Sequence, residues 1–183
     1  MRFFLPKAFF ILAVFACFNV QASSLDVNLR NEAIRLALRG PINQSGLNLS
    51  ISGLHHEDDR DLITVGVSVI EEFANESFVG IGGHLYGFDA KNTDGMGVAL
   101  GGFFRYALPA FPGLGLGGQL YYGPDVVSFN DVKQYFETAF RLEYQLLSQA
   151  NVYVGYRYIK IKMDSGRKGR IDDGVHLGLR LDY

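Results

Sequence analysis

The chain has 183 residues, 48% of them hydrophobic and 14% aromatic, with 22 glycines, no tryptophan and one cysteine. Its 17 basic and 19 acidic residues give a net charge of −2, which excludes the basic stripe of a nucleic-acid binder and the charge block of a disordered tail. This length argues for one domain.

The first 22 residues read as a secretory signal peptide. Arg2 and Lys7 form a positive start, AFFILAVFACF (8–18) is a short apolar stretch, and Val20-Gln21-Ala22 is a small-residue cleavage site. An apolar run this short does not anchor a chain in a membrane. Lipidation at Cys17 is the alternative, but Phe15 stands where a small residue is expected. Cleavage after Ala22 leaves a domain of residues 23–183 with no cysteine, exported and held together without disulfides.

From residue 24 onward, apolar residues recur at every second position. The series runs Leu25, Val27, Leu29; Ile34, Leu36, Leu38; Leu47, Leu49, Ile51; and Ile63, Val65, Val67, Val69. It continues through Val79, Ile81, Leu85; Met96 to Tyr106; Leu114 to Tyr122; Phe136 to Leu146; and Val152 to Tyr158. It closes with Val175, Leu177, Leu179, Leu181 and the aromatic Tyr183. Between the runs lie connections rich in Gly, Pro, Asn, Asp and Ser. Alternating segments of about ten residues joined by turns are the signature of a transmembrane β-barrel. A soluble barrel or sandwich alternates as well. Aromatics near the segment ends favour the membrane form: Tyr86, Phe88, Tyr121, Tyr122, Tyr135, Phe136, Tyr156 and Tyr158 toward one rim, and Phe73, Phe78, Phe104, Tyr106, Phe111, Tyr144 and Tyr183 toward the other. The expected fold is therefore all-β, a small antiparallel barrel in the outer membrane of a Gram-negative bacterium.

Bacterial barrels have an even strand number, with both chain ends on the periplasmic side. Counting back from Tyr183, eight strands reach residue 45. Residues 24–39 supply two more if the chain turns near Asn31-Glu32, where the apolar phase flips. Ten strands are favoured, with eight, and 24–39 packed elsewhere, as the alternative. Either barrel is narrow enough to be filled by side chains, which argues against a general porin. The same count puts HHEDDRD (55–61), DAKNTDG (89–95), PDVVSFND (124–131) and DSGRKGRIDD (164–173) at the outer end.

If the apolar positions face lipid, their neighbours face the lumen: Arg35, Arg39, Arg105, Glu137, Arg141, Glu143, Arg157 and Arg180, with His84, Gln119, Tyr121 and His176. Charges in a poorly hydrated interior must be paired. A ladder of arginine–carboxylate contacts centred on Glu137 and Glu143 is expected, because the planar guanidinium engages carboxylates bidentately. The expected role is structural or interaction-based, with a plugged lumen. The alternative is a narrow conduit opened by breaking one such pair, preferring anions because arginines outnumber acids.

Other motifs carry less chemistry. HHEDDR (55–60) brings histidines and carboxylates together, as a metal site or an outer-membrane hydrolase would require, but adjacent side chains on a strand diverge and no HExxH spacing is present. GLGLGG (113–118) lacks the strand–turn–helix setting of a phosphate loop, so its glycines are expected to relieve crowding. No enzyme activity, cofactor or metal is expected. RKGR (167–170) is the one dense basic run, and on an outer loop it is a candidate contact for lipopolysaccharide phosphates.

YYGPD (121–125), VYVGYRYI (152–159) and DDGVHLGLRLDY (172–183), with the signal peptide, resemble the YfaZ family of proteobacterial outer-membrane proteins. The resemblance covers the mature chain and is densest from about 114 onward. It implies an outer-membrane barrel, supplies no catalytic residues, and implies that the last strand (Val175, Leu177, Leu179, Leu181, Tyr183) is read by the barrel-assembly machinery. The chain ends in Tyr where Phe is commoner, which keeps the aromatic. Outer-membrane lipid is the expected surrounding, and a monomer the expected state.

Overall fold

The computed structural model describes residues 23–42, 46–58, 60–73, 76–90, 93–130, 132–164, 166 and 168–183. The expected signal peptide, with Cys17, lies outside them, as does Arg167 of the RKGR run. Among the described residues the strands are β1 (Ser24–Arg30), β2 (Ala33–Pro41), β3 (Leu47–His56), β4 (Arg60–Phe73), β5 (Ser77–Ala90) and β6 (Thr93–Ala107). They continue as β7 (Leu114–Gly123), β8 (Ser128–Asn130), β9 (Val132–Leu147), β10 (Ala150–Met163) and β11 (Lys168–Asp182).

Every pairing is antiparallel, and the ring closes where β1 pairs with β11, Leu25 opposite Leu181 and Leu29 opposite Leu177. Ten strands form the barrel, because residues 24–39 supply β1 and β2 around a turn at Asn31-Glu32. A two-residue turn reverses the chain and explains the phase flip between Leu29 and Ile34. β8 is an addition to the ring. It lies in the expected loop 124–131, after a short 3-10 turn at Asp125–Val127, and pairs with Gly95–Gly97 of β6. β7 reaches only Leu100 on that side, so β8 satisfies backbone groups that would otherwise form an open edge.

The outer wall is apolar over its middle. Ile81 is 71% exposed, and Leu85, Leu100, Leu120, Val175 and Leu177 are exposed in the same way. A surface of this kind would associate in water and is what a lipid-facing barrel requires. Tyr122, Tyr156, Phe73, Phe104, Tyr106, Phe111, Tyr144 and Tyr183 are also exposed, toward the two rims.

Several expected girdle aromatics point the other way. Tyr86, Phe88 and Tyr135 are buried inside the barrel, and Tyr121 lines its central cavity. Phe78 packs edge-on against the inward Phe103 at 6.2 Å. The reason is parity: Tyr86 and Phe88 share a face with the inward His84, and Tyr135 shares one with Glu137. With Leu54, Leu62, Ala99, Val132, Ile159, Ile161 and Ile171 they form an apolar cluster inside the outer end.

That cluster marks where the strands leave the membrane. Ile159 and Ile161 face inward, so the outward face of β10 changes from Val154 and Tyr156 to Lys160 and Lys162. On β11 a bulge makes the same change. Ile159 pairs with Asp172 and Lys160 with Arg170, leaving Ile171 as the extra residue. Ile171 therefore joins the apolar cluster while Asp172 still points into the lumen, and both are buried.

Candidate functional site

The lumen below the apolar cluster is built around carboxylates, each held by several strands. Glu137 on β9 is fully buried. Arg35 Nη1 of β2 and Gln119 Nε2 of β7 donate to its Oε1 at 3.1 and 2.6 Å, and Tyr135 OH donates to Oε2 at 2.5 Å. His84 of β5 approaches the same carboxylate at 3.8 Å. Arg35 continues through Ser52 Oγ, 3.1 Å away, to Thr64 at 2.7 Å from that hydroxyl.

Glu143, three pleat repeats nearer the periplasm on the same strand, gathers three guanidinium groups. Arg105 Nε donates to Oε2 at 2.9 Å, Arg180 Nη1 donates to Oε1 at 3.3 Å, and Arg141 forms an ion pair with Oε1. Asp172 accepts from Arg30 Nη1 at 2.6 Å and from Arg157 Nε at 2.5 Å, while Arg157 Nη1 donates to Asn28 Oδ1 at 2.9 Å. Asp26 accepts from Tyr153 OH at 2.5 Å and is 3.5 Å from Arg141 Nη1. Each buried carboxylate thus meets at least two donors, the condition under which buried charge is tolerable.

Small residues make room for these long side chains. A Cβ on Gly117 would lie 2.7 Å from Arg141 Nε, and one on Gly178 would lie 2.1 Å from Tyr153 Cζ. Register explains both: Gly117 pairs with Arg141 across β7 and β9, and Gly178 pairs with Tyr153 across β10 and β11. Gly115, Gly117 and Gly118 of GLGLGG therefore sit inside a strand, Gly117 beside an arginine, while Gly113 lies in the preceding turn at φ +83°.

Arg39 differs from the other inward arginines. Its guanidinium lies 4.1 Å from the centre of the Phe103 ring, its Nε is buried, and it has no hydrogen-bond acceptor or acidic partner among the described residues. It borders two spaces: a central cavity of about 100 Å³ and a periplasmic vestibule of about 350 Å³. His84 Nε2 and His176 Nδ1, buried and with no side-chain hydrogen bond among the described residues, belong to side chains that line the central cavity. A polar space of this size holds water.

Arg35, Arg105, Glu137, Arg141, Glu143, Arg157 and Arg180, the charges read from the alternation, all lie in this lumen, distributed over the contacts above. The alternation did not bring out Asp26, Asn28, Tyr153, Asp172 and Arg30. Asp26 and Asn28 were detectable, because Leu25, Val27 and Leu29 face out. Asp172 was detectable too, because it has the parity of His176 and Arg180, but it falls within the expected outer connection 164–173. His55 and His56 diverge as adjacent strand residues must: His55 meets Asp61 at 2.5 Å on the outside, and His56 is buried beside Arg60 at 2.9 Å. Val175, Leu177 and Leu179 are exposed on the wall, and the backbone N–H of Tyr183 donates to Ser23 O at 3.0 Å, tying the two described ends together.

A family model described as "YfaZ precursor" matches residues 4–183. "Outer membrane protein YfaZ" of Escherichia coli (strain K12) is 24% identical over 166 residues, covering 90% of this chain and 91% of that protein. Among solved structures, KdgM porin aligns with a TM-score of 0.48 at 14% identity, covering 87% of this chain and 98% of that one. KdgM porin in complex with disordered oligogalacturonate aligns with a TM-score of 0.49 at 13% identity, with the same coverage.

Proposed function

The chain belongs to the YfaZ family of outer-membrane proteins, and from that footing we propose that it is a closed barrel with a structural or interaction role rather than a transporter or a hydrolase. The protein itself is an outer-membrane β-barrel. The observation that carries the closed reading is the apolar cluster at the outer end. Leu54, Leu62, Tyr86, Phe88, Val132, Tyr135, Ile159, Ile161 and Ile171 are none of them more than 6% exposed. Solutes entering the vestibule from the periplasm meet the Glu143 and Glu137 contacts first and then this dry layer. Hydrophobic constrictions exclude ions by dewetting. The barrel acts as a monomer, and its last strand, with Tyr183, is the segment the barrel-assembly machinery reads. Vesicles loaded with a small fluorescent anion test the closed reading: reconstituted protein leaves release at the background rate, and release proportional to protein content contradicts it.

Arg39 favours a second reading, a narrow conduit preferring anions. An arginine with no ion pair among the described residues, placed between vestibule and cavity, attracts negative solutes, and it operates only if the apolar layer opens. Under this reading Glu137→Gln raises anion conductance. A rise in cation conductance instead contradicts it.

A further inference from the structure

Above the aromatic rim, the outward face of the β10–β11 hairpin turns basic. Ile159 and Ile161 are 0% and 1% exposed inside the barrel, so Lys160 and Lys162 project outside it. The ladder sets Lys160 opposite Arg170 and Lys162 opposite Lys168. Residues directly opposite in an antiparallel pair share a face with Cβ atoms about 5 Å apart, and like charges there repel. Two such rows stacked on one hairpin are unfavourable unless an anion lies against them.

The protein supplies little of that negative charge. Arg170 Nη1 meets Asp173 at 2.7 Å, and Lys133 on the neighbouring β9 meets Asp164 at 3.0 Å. Lys160, Lys162 and Lys168 have no acidic partner among the described residues. Asp173 and Asp164 are thus already paired, and other acids of the outer rim, Asp61, Asp89 and Asp94, lie opposite one another along β4, β5 and β6, away from this hairpin around the ring. The lysines without an acid are therefore gathered on one hairpin, while these acids lie across the ring.

Height selects the anion. Lys160 is two residues beyond Tyr158, whose ring packs edge-on against Phe136 at 6.3 Å, and Phe136 pairs directly with Lys160. At roughly 3.3 Å per residue along a strand, the lysines begin within about 7 Å of the aromatic belt that marks the membrane–water interface. Phosphate groups of an outer-leaflet glycolipid lie at that level. We propose that the outward face of β10 and β11 at the outer rim, centred on Lys160, Lys162 and Lys168, binds the phosphates of lipopolysaccharide. The lipid's sugar–phosphate headgroup then offsets the repulsion within the ladder, while its acyl chains lie on the apolar wall below.

The test uses the full mature barrel folded in phosphatidylcholine vesicles, with bisphosphorylated lipid A as the probe. Lys160→Gln/Lys162→Gln/Lys168→Gln removes the charge from side chains that face outward, and retention of the heat-dependent gel shift shows that the barrel is folded. The expected result is an apparent affinity for lipid A about tenfold or more weaker than that of the wild type, the scale of losing several charge-assisted contacts. Dephosphorylated lipid A should bind the wild type as weakly as the phosphorylated form binds the variant. On the wild type alone, rising salt should weaken binding, since exposed charges are screened within about 10 Å at 0.1 M. Equal affinity of the triple variant and the wild type overturns the proposal, as does equal wild-type binding of the two lipids.

Discussion

Arg35 and Glu137 meet across the lumen at 3.1 Å although 102 residues separate them and β10, β11 and β1 lie between their strands around the wall. The contact is a strut: it joins two parts of the ring that no backbone ladder connects. Glu143 makes the corresponding strut nearer the periplasm, drawing in Arg105 from β6 and Arg180 from β11. A barrel with no disulfide among its described residues thus gains cross-links of another kind.

Removing one partner leaves uncompensated charge in a closed interior. Glu137→Ala is expected to cost about 3–5 kcal/mol of stability, and Arg35→Met a comparable amount. Replacing both, as Arg35→Met/Glu137→Leu, should cost less than the worse single variant. Urea unfolding in phospholipid vesicles measures all three, and strict additivity would show that the pair is not coupled.

The cluster at Glu143 makes a sharper demand. Three guanidinium groups share its carboxylate, so Glu143→Gln takes a buried partner from all three at once and leaves Arg105 with Glu76, Arg141 with Asp26 and Arg180 with Asp182. This variant should be less stable than Arg105→Met, Arg141→Met or Arg180→Met, by about 1 kcal/mol or more. Urea midpoints compared across the four variants decide the order.

Gly178→Ala tests the space around Tyr153. A methyl group there would meet the ring at 2.1 Å and push the phenol off Asp26. The expected cost is about 1–3 kcal/mol, the range for overpacking. Tyr153→Leu in the same background should recover part of it, because the shorter side chain leaves the methyl room.

Leu177 is 66% exposed on the closing strand, within the apolar band. Leu177→Arg should lower stability by about 2–4 kcal/mol in vesicles if lipid covers this face. A neutral result in vesicles would mean that water does.

Most of the wall was readable in the sequence because lipid imposes one rule at every second position. Leu29, Ile81, Leu100 and Leu177 obey it, and the phase flip at Asn31-Glu32 distinguished ten strands from eight. The same rule hid the outer cluster. It equates apolar with outward, whereas beyond Tyr158 the wall meets water and the lumen is dry, so Ile159 and Ile161 point in and Lys160 and Lys162 point out. The cue was present as a change in which parity is apolar. Ile171 shows the other limit: a bulge turns it inward, and alternation carries no mark of a bulge. Arg39 was recognised as inward, but only the three-dimensional arrangement reveals that it forms no ion pair among the described residues.

Tyr86 stacked on Tyr135 at 4.2 Å lies at the heart of the closed outer end. Planar-bilayer recording of the wild type beside Tyr86→Ala/Tyr135→Ala tests it most directly. The wild type should be silent, and the double variant should show small openings that favour anions. Steady openings of the folded wild type, with no change on removing the two rings, would contradict it.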